Sequence, residues 1–178
     1  MKLGIKNAMV ITMDPDRKIF DPGYVIIEDD KILELGAGDS LKEEVNWIDS
    51  KGSILMPGFV NTHTHISMSL FRSLGEDMPD RLRKYLFPLE DGLLDPEMVK
   101  VGAKLSLLEL IQSGVTTFCD MYYFEEEVAL ATKAAGVRAV LGQTILNKPS
   151  ADAREPYGGL ALAKAFIKKW KSDPLITP

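Results

Sequence analysis

Cysteine and histidine are nearly absent from this chain, and it has no long apolar run and no block of like charge. The single cysteine in 178 residues, Cys119, cannot close an internal disulfide, and its place in a Val/Thr/Phe run marks a small buried hydrophobe. No apolar stretch approaches the roughly 20 residues of a membrane span, which argues against a membrane protein. The start, Met1 to Asn7, carries a charge every few residues, and its longest apolar run, Ala8 to Ile11, is far short of a signal-peptide core. A cytoplasmic location is the expectation. Acids and bases are interspersed and the net charge is -5, so nothing points to a nucleic-acid or anionic-membrane partner. Only two histidines occur, and both fall in one short stretch.

What is present is a globular composition, 46% hydrophobic and 26% charged, enough for a real core. Residues 1–56 read as β. Leu3-Gly4-Ile5 and Met9-Val10-Ile11 are short β-rich runs, and Asp14-Pro15-Asp16 is a turn by composition. Tyr24–Ile27 and Lys31–Leu35 flank Glu28-Asp29-Asp30 as a hairpin, and a helical turn is expected around Ser40–Glu44. These strands are too few and too short for a stable sandwich by themselves.

From residue 57 strand and helix alternate. Phe59–Thr62 is a near-continuous apolar strand of the kind buried on both faces of a parallel sheet. Asp95-Pro96-Glu97 opens a helix with Asp at the N-cap and Pro at its first position; Met98, Val101, Leu105, Leu108 and Ile111 recur at helical spacing as its expected core face. Val115–Asp120 is a strand, Glu125–Ala135 a helix closed by Gly136, and Val137–Gly142 a strand. Lys148–Gly159 is a polar loop of functional length, Leu160 to Trp170 an amphipathic helix with its lysines outward, and Leu175–Pro178 the start of a further strand. The pattern predicts an α/β fold with a parallel sheet, about three and a half units over the 122 residues left by 178 minus 56. Either an open sheet or the first part of a closed barrel of eight units, which takes about 250 residues, accommodates that. No Gly-x-Gly-x-x-Gly or phosphate-loop pattern marks the open alternative.

The chemistry gathers at Met56-Pro57-Gly58-Phe59-Val60-Asn61-Thr62-His63-Thr64-His65. Along an extended strand His63 and His65 project to one side, close enough to hold one ion. A Zn²⁺ site takes three or four N, O or S ligands, so the pair is half of one.

That run resembles the first barrel strand of the amidohydrolase superfamily, metal-dependent hydrolases on a (β/α)8 barrel. Met68–Leu74, Pro88-Leu89-Glu90, Ser113–Tyr122 and Gly136–Leu141 are similar, in order, to the branch holding the 5'-methylthioadenosine/S-adenosylhomocysteine deaminases and the triazine chlorohydrolase-like enzymes. The resemblance implies residues 1–56 as the N-terminal part of a composite β-sandwich and 57–178 as the N-terminal half of the barrel, incomplete. It implies metal ligation by His63 and His65, of Zn or another divalent transition metal such as Fe. Glu90 matches a substrate-contacting glutamate, and Gln143 falls where those deaminases can carry an arginine. That departure, and a segment between Glu76 and Pro88 about two residues short, weaken the case for S-adenosylhomocysteine itself. Asp120, at the end of a strand, is a candidate to orient an imidazole. Each has a plainer reading: Glu90 as a loop acid or helix cap, Gln143 as a barrel-mouth polar group, Asp120 as a loop cap; Met68, Met121 and Tyr122 fit either a pocket or the core. The expected activity is metal-dependent hydrolytic deamination of an adenosine-type or other heterocyclic amine, in a homo-oligomer at full length. The third His, the acid/base Glu, a further His and a ligand Asp would lie beyond Pro178, so no catalytic residue is identified in the 178-residue chain and it is expected to be inactive alone. The alternatives are a triazine- or guanine-type heterocycle hydrolase of the same superfamily, and a non-catalytic half-barrel that associates with a partner or itself.

Overall fold

The computed structural model describes residues 2–38, 42 and 44–178. It is mixed α/β, in two compact units, Met1–Pro57 and Gly58–Pro178. Among the described residues no helix is long and apolar enough to cross a membrane.

The first unit is a five-stranded sheet of β1 (Lys2–Ile11), β2 (Ile19–Glu28), β3 (Lys31–Ala37), β4 (Val45–Asp49) and β5 (Ile54–Leu55), in the order β3-β2-β1-β4, with β5 also beside β1. The hairpin lies where turn chemistry predicts, with Asp29 in the left-handed region at φ 55°. The two expected runs Leu3–Ile5 and Met9–Ile11 are one strand. Its pairing with β2 shifts register between Ile5 and Ala8, around Asn7 at φ 55°, which breaks the apolar pattern without breaking the strand. The core is small: Ala8, Val10 and Val25, packed by Phe20, Ile27 and Leu55. The helical turn expected around Ser40–Glu44 lies largely outside the described residues.

In the second unit β6 (Phe59–Thr64), β7 (Val115–Tyr122), β8 (Arg138–Gln143) and β9 (Ile176–Thr177) form a parallel sheet in chain order. Between them run a 3-10 turn at Ile66–Phe71, a π-helical turn at Leu82–Leu86, α1 (Phe87–Leu93), α2 (Pro96–Gln112), α3 (Glu125–Ala135) and α4 (Gly159–Trp170). Asp95 caps α2 as its sequence predicts, accepting the Met98 N–H at 2.7 Å, and Gly136 closes α3 at φ 72°.

Strand residues of one parity, Phe118 and Tyr122, Ala139 and Leu141, and Ile176, join a single core with Val99, Ala103 and Leu107 of α2, Val128 and Ala129 of α3, and Phe166 and Trp170 of α4. Residues of the other parity, Met121 and Val140, are exposed. All three helices therefore cover the same face of the sheet.

Three packing expectations are corrected. The stripe Val101, Leu105, Leu108, Ile111 of α2 is exposed, Leu108 to 55%, while Val99, Gly102, Ala103 and Leu107 are buried. Apolar residues run almost right round this helix, so periodicity alone does not choose the face. The small pair Gly102-Ala103 does, by admitting the turn Ile66–Phe71: Ser67 Oγ donates to the Val99 carbonyl at 2.9 Å, Ser69 Oγ to the Gly102 carbonyl at 3.0 Å, and Ser106 Oγ to the Ile66 carbonyl at 2.6 Å. On α4 only Phe166 and Trp170 of the expected face are buried, and Leu160 and Ile167 are exposed. Nor is β6 buried on both faces. It is the edge of its sheet, with Phe59 55% and Val60 61% exposed.

The close approach at Gly102 yields a prediction. A Cβ there would stand 2.5 Å from the Ser67 carbonyl oxygen and 3.0 Å from Leu70 Cγ. Helix propensity favours Ala over Gly by about 1 kcal/mol. The clash is with backbone, however, and overpacking of this kind typically costs about 1–3 kcal/mol. Gly102→Ala is therefore expected to lower unfolding free energy, and a urea midpoint at or above that of the unsubstituted chain would refute this.

Candidate functional site

The structure places His63 and His65 side by side at the C-terminal end of β6, their ring centroids 5.1 Å apart and their planes at 81°. His65 Nδ1 lies 2.6 Å from the Met121 carbonyl oxygen. A carbonyl only accepts, so Nδ1 carries a proton, and in the neutral ring Nε2 is the nitrogen with the lone pair. A metal-ligating histidine is commonly prepared in this way.

The neighbours of that bond come from the same short piece of β7. Thr64 Oγ1 lies 2.9 Å from both the Cys119 carbonyl and Asp120 Oδ1, and the Ile66 N–H donates to Asp120 Oδ1 at 2.9 Å. Cys119, Asp120 and Met121 thus hold all three of Thr64, His65 and Ile66. Asp120 meets the Thr64 hydroxyl on one side of the histidine and the Ile66 N–H on the other, and it is the Met121 carbonyl that takes the ring. Burial pushes the Asp120 carboxyl up to about 6 against the pull of those two bonds. Its Oδ2 is buried without a partner.

Two imidazole nitrogens, one with a fixed tautomer, are donors suited to Zn²⁺ or Fe²⁺. Among the described residues no group of three or more His, Cys, Asp or Glu side chains is placed to hold an ion. The pair fits part of a metal centre, with room for further donors on the exposed side of His63.

Glu90, on α1, is 2% exposed. Its Oε1 accepts the Tyr122 hydroxyl at 2.7 Å. Burial raises the Glu90 carboxyl above its ordinary range, opposed by that hydrogen bond. Glu90, Tyr122 and His65 line one cavity of about 250 Å³. Gln143 is placed elsewhere. Its Nε2 donates to Asp152 Oδ2 at 2.7 Å and to the Thr144 carbonyl at 3.1 Å, and it lines a neighbouring cavity with Glu125 and Lys169.

Glu125 was not singled out from the sequence. It is 0% exposed and neither carboxylate oxygen has a partner. Burial, and then the nearby Asp120 carboxylate, push it well above the usual carboxylate range. In sequence it is one of three successive glutamates opening a helix, a pattern that reads as a solvated first turn. Asp152 is equally silent in sequence, yet it also accepts the Phe124 N–H at 2.9 Å, at the start of α3.

The chain is 42% identical over 175 residues to a 5-methylthioadenosine/S-adenosylhomocysteine deaminase of Syntrophobacter fumaroxidans, a match covering 96% of this chain and 40% of that relative. It is 43% identical over 170 residues to a 5'-deoxyadenosine deaminase of Methanosarcina mazei, covering 94% of this chain and 38% of that one. The chain thus spans about 40% of the length of the relatives it matches. Among solved structures, an adenosine deaminase from Xanthomonas campestris with bound zinc superposes with a TM-score of 0.84 at 27% identity, covering 98% of this chain and 41% of that one. The model of the amidohydrolase family matches residues 54–176, a span that begins before the His63–His65 strand and runs through α4 into the first residue of β9. The chain belongs to the amidohydrolase family.

Proposed function

We propose that this chain is the N-terminal part of a metal-dependent hydrolytic deaminase acting on an adenosine-type amino-heterocycle. The observation that carries this is the His63–His65 pair, with the His65 tautomer set by the Met121 carbonyl and a buried Glu90 in the same cavity. In this reading His63 and His65 are metal ligands, Asp120 positions the segment between them and the 3-10 turn, and Glu90 takes substrate hydroxyls. A zinc or iron ion held there would supply Lewis acidity and activate a water near neutral pH. Donors beyond this pair complete the ion's shell and supply the acid/base, so the 178-residue chain alone is expected to turn over nothing. Gln143, held by Asp152 in the neighbouring cavity, lies outside the cavity of His65 and Glu90, and in this reading it anchors the Asp152 loop.

The fold supports a finer reading as well. Strands in chain order with α2, α3 and α4 on one face suit a sector of a (β/α)8 barrel better than a doubly wound sheet, in which the helices divide between two faces. On this reading residues 1–56 are part of a β-sandwich and 57–178 the first part of the barrel. A cytoplasmic, homo-oligomeric full-length enzyme is part of the same proposal.

Adenosine-type substrates are preferred over triazines and guanine because the deaminases named above are 42% and 43% identical to this chain. The test is ammonia release by the complete, zinc-loaded polypeptide carrying this sequence. Release from 5'-deoxyadenosine or 5'-methylthioadenosine is expected. Release from a triazine or guanine, with none from any adenosine derivative, would overturn the adenosine-type reading.

A further inference from the structure

Glu125 neighbours Asp120, and the deaminase reading gives it no task. It opens α3, three residues past the end of β7. It is 0% exposed, so residues of this chain enclose it completely. Neither of its oxygens has a hydrogen-bond partner among the described residues; the Tyr122 main-chain N–H draws on the carboxylate without bonding to it. Asp120 Oδ2 is likewise buried and unpartnered. The charge that bears hardest on Glu125 is the Asp120 carboxylate, followed by that of Asp152. No cation answers them at close range: Lys169, which lines the cavity beside Glu125, is bonded to Glu126 Oε1. Gln143, in the same cavity, turns its amide N–H groups to Asp152 and the Thr144 carbonyl.

Two carboxyl groups close together in a space closed to water do not both ionise, and hydrogen bonds decide where the remaining proton sits. Asp120 Oδ1 takes the Ile66 N–H and lies 2.9 Å from the Thr64 hydroxyl, and both favour its anion. Nothing comparable favours the anion of Glu125. Ionised, it would be a buried charge without a partner, a state that proteins avoid by protonation. We propose that Glu125 is a neutral carboxylic acid that positions Asp120: its hydroxyl is the donor for Asp120 Oδ2, and it leaves the negative charge of the pair on Asp120, which holds Thr64 and Ile66 on either side of His65. One proton turns a meeting of acceptors into a donor and an acceptor. Glu125 acts on His65 only through Asp120 and the two residues that Asp120 holds. The effect on zinc rests on the ligand reading of His63 and His65 above; the protonation does not.

The experiment uses the complete polypeptide carrying this sequence. Near neutral pH ordinary carboxyl groups, which titrate at about 4, are ionised. The infrared spectrum of the metal-free protein minus that of Glu125→Gln is therefore expected to show the carbonyl band of one protonated acid. Zinc titration of the folded variants reads the positioning. Glu125→Leu fills a similar volume without a donor and is expected to bind zinc about tenfold more weakly, the lower end of the loss that removing an outer partner of a ligand causes. Glu125→Gln keeps a neutral group with N–H donors and is expected to recover most of that loss. Glu125→Met is the second apolar variant, should leucine pack poorly. Absence of the protonated-acid band, unchanged zinc affinity in the folded apolar variants, or a glutamine variant as weak as they are would overturn the role of Glu125 and leave the deaminase reading intact. Failure of the unsubstituted polypeptide to bind zinc would remove the ligand reading, and with it the positioning role, while the protonated-acid band would still be expected.

Discussion

In the complete polypeptide, His65→Ala is expected to lose bound metal and activity together. The imidazole is one of two nitrogen donors brought within 5.1 Å of each other, and its Nε2 lone pair is freed because the Met121 carbonyl holds the proton on Nδ1. Loss of an outer partner typically weakens a metal site about 10–100-fold, and loss of a ligand should exceed that. Metal per chain is expected to fall from near one to near zero, with kcat/KM down by more than about a hundredfold. Compared metal-free, stability should change little, because one exposed hydrogen bond is worth about 1 kcal/mol. His63→Ala makes a sharper contrast. The ring of His63 is exposed and does not take the Met121 carbonyl, so metal should be lost with no measurable change in the urea midpoint of the metal-free protein. Elemental analysis of the purified variants, with circular dichroism as the fold control, reads both. Zinc retained at the unsubstituted stoichiometry in either would refute the ligand role of that residue.

How much of this was legible in the sequence differs by element. The histidine pair was, because a strand has a period of two and nothing in the surrounding fold can put residues two apart on opposite faces. Helix ends were legible for a similar reason: Asp95 and Gly136 act through their own backbone neighbours. The exposed face of α2 was not. Its apolar residues run nearly all the way round, and the choice of face was made by a turn about 35 residues earlier in the chain, whose serines reach the Val99 and Gly102 carbonyls. The site divides in the same way. By position Asp120 is one candidate to orient an imidazole, with a loop cap as its plainer reading. The ring is instead held by a main-chain carbonyl, a group every residue has, so no pattern of residue types announces it. The Tyr122–Glu90 bond joins residues 32 apart across two elements, and the burial of Glu125 depends on which side of α3 meets the sheet. Each is a consequence of tertiary packing.

Asp120 allows that packing to be tested against function. Its Oδ1 accepts the Ile66 N–H and lies within reach of the Thr64 hydroxyl, one residue to either side of His65. Asp120→Ala would leave the Ile66 N–H buried without an acceptor, at about 1–3 kcal/mol, and open a void the size of a carboxyl group. Unfolding free energy should drop by about 2–4 kcal/mol. If Asp120 acts only on the fold, the folded variant should bind zinc as before. If it positions His65, zinc affinity should fall about 10–100-fold even where the protein is fully folded, because the strand end carrying the ligand is no longer fixed. Asp120→Asn separates the two effects. It keeps an oxygen for Ile66 and Thr64, so it should recover most of the zinc affinity lost in the alanine variant, although its new amide group faces the partnerless site of Oδ2 and should still cost stability. Zinc titration at a temperature where each variant is folded is the measurement. An alanine variant with unchanged zinc affinity would return Asp120 to the fold alone, and leave the Met121 carbonyl as the one group holding the ring.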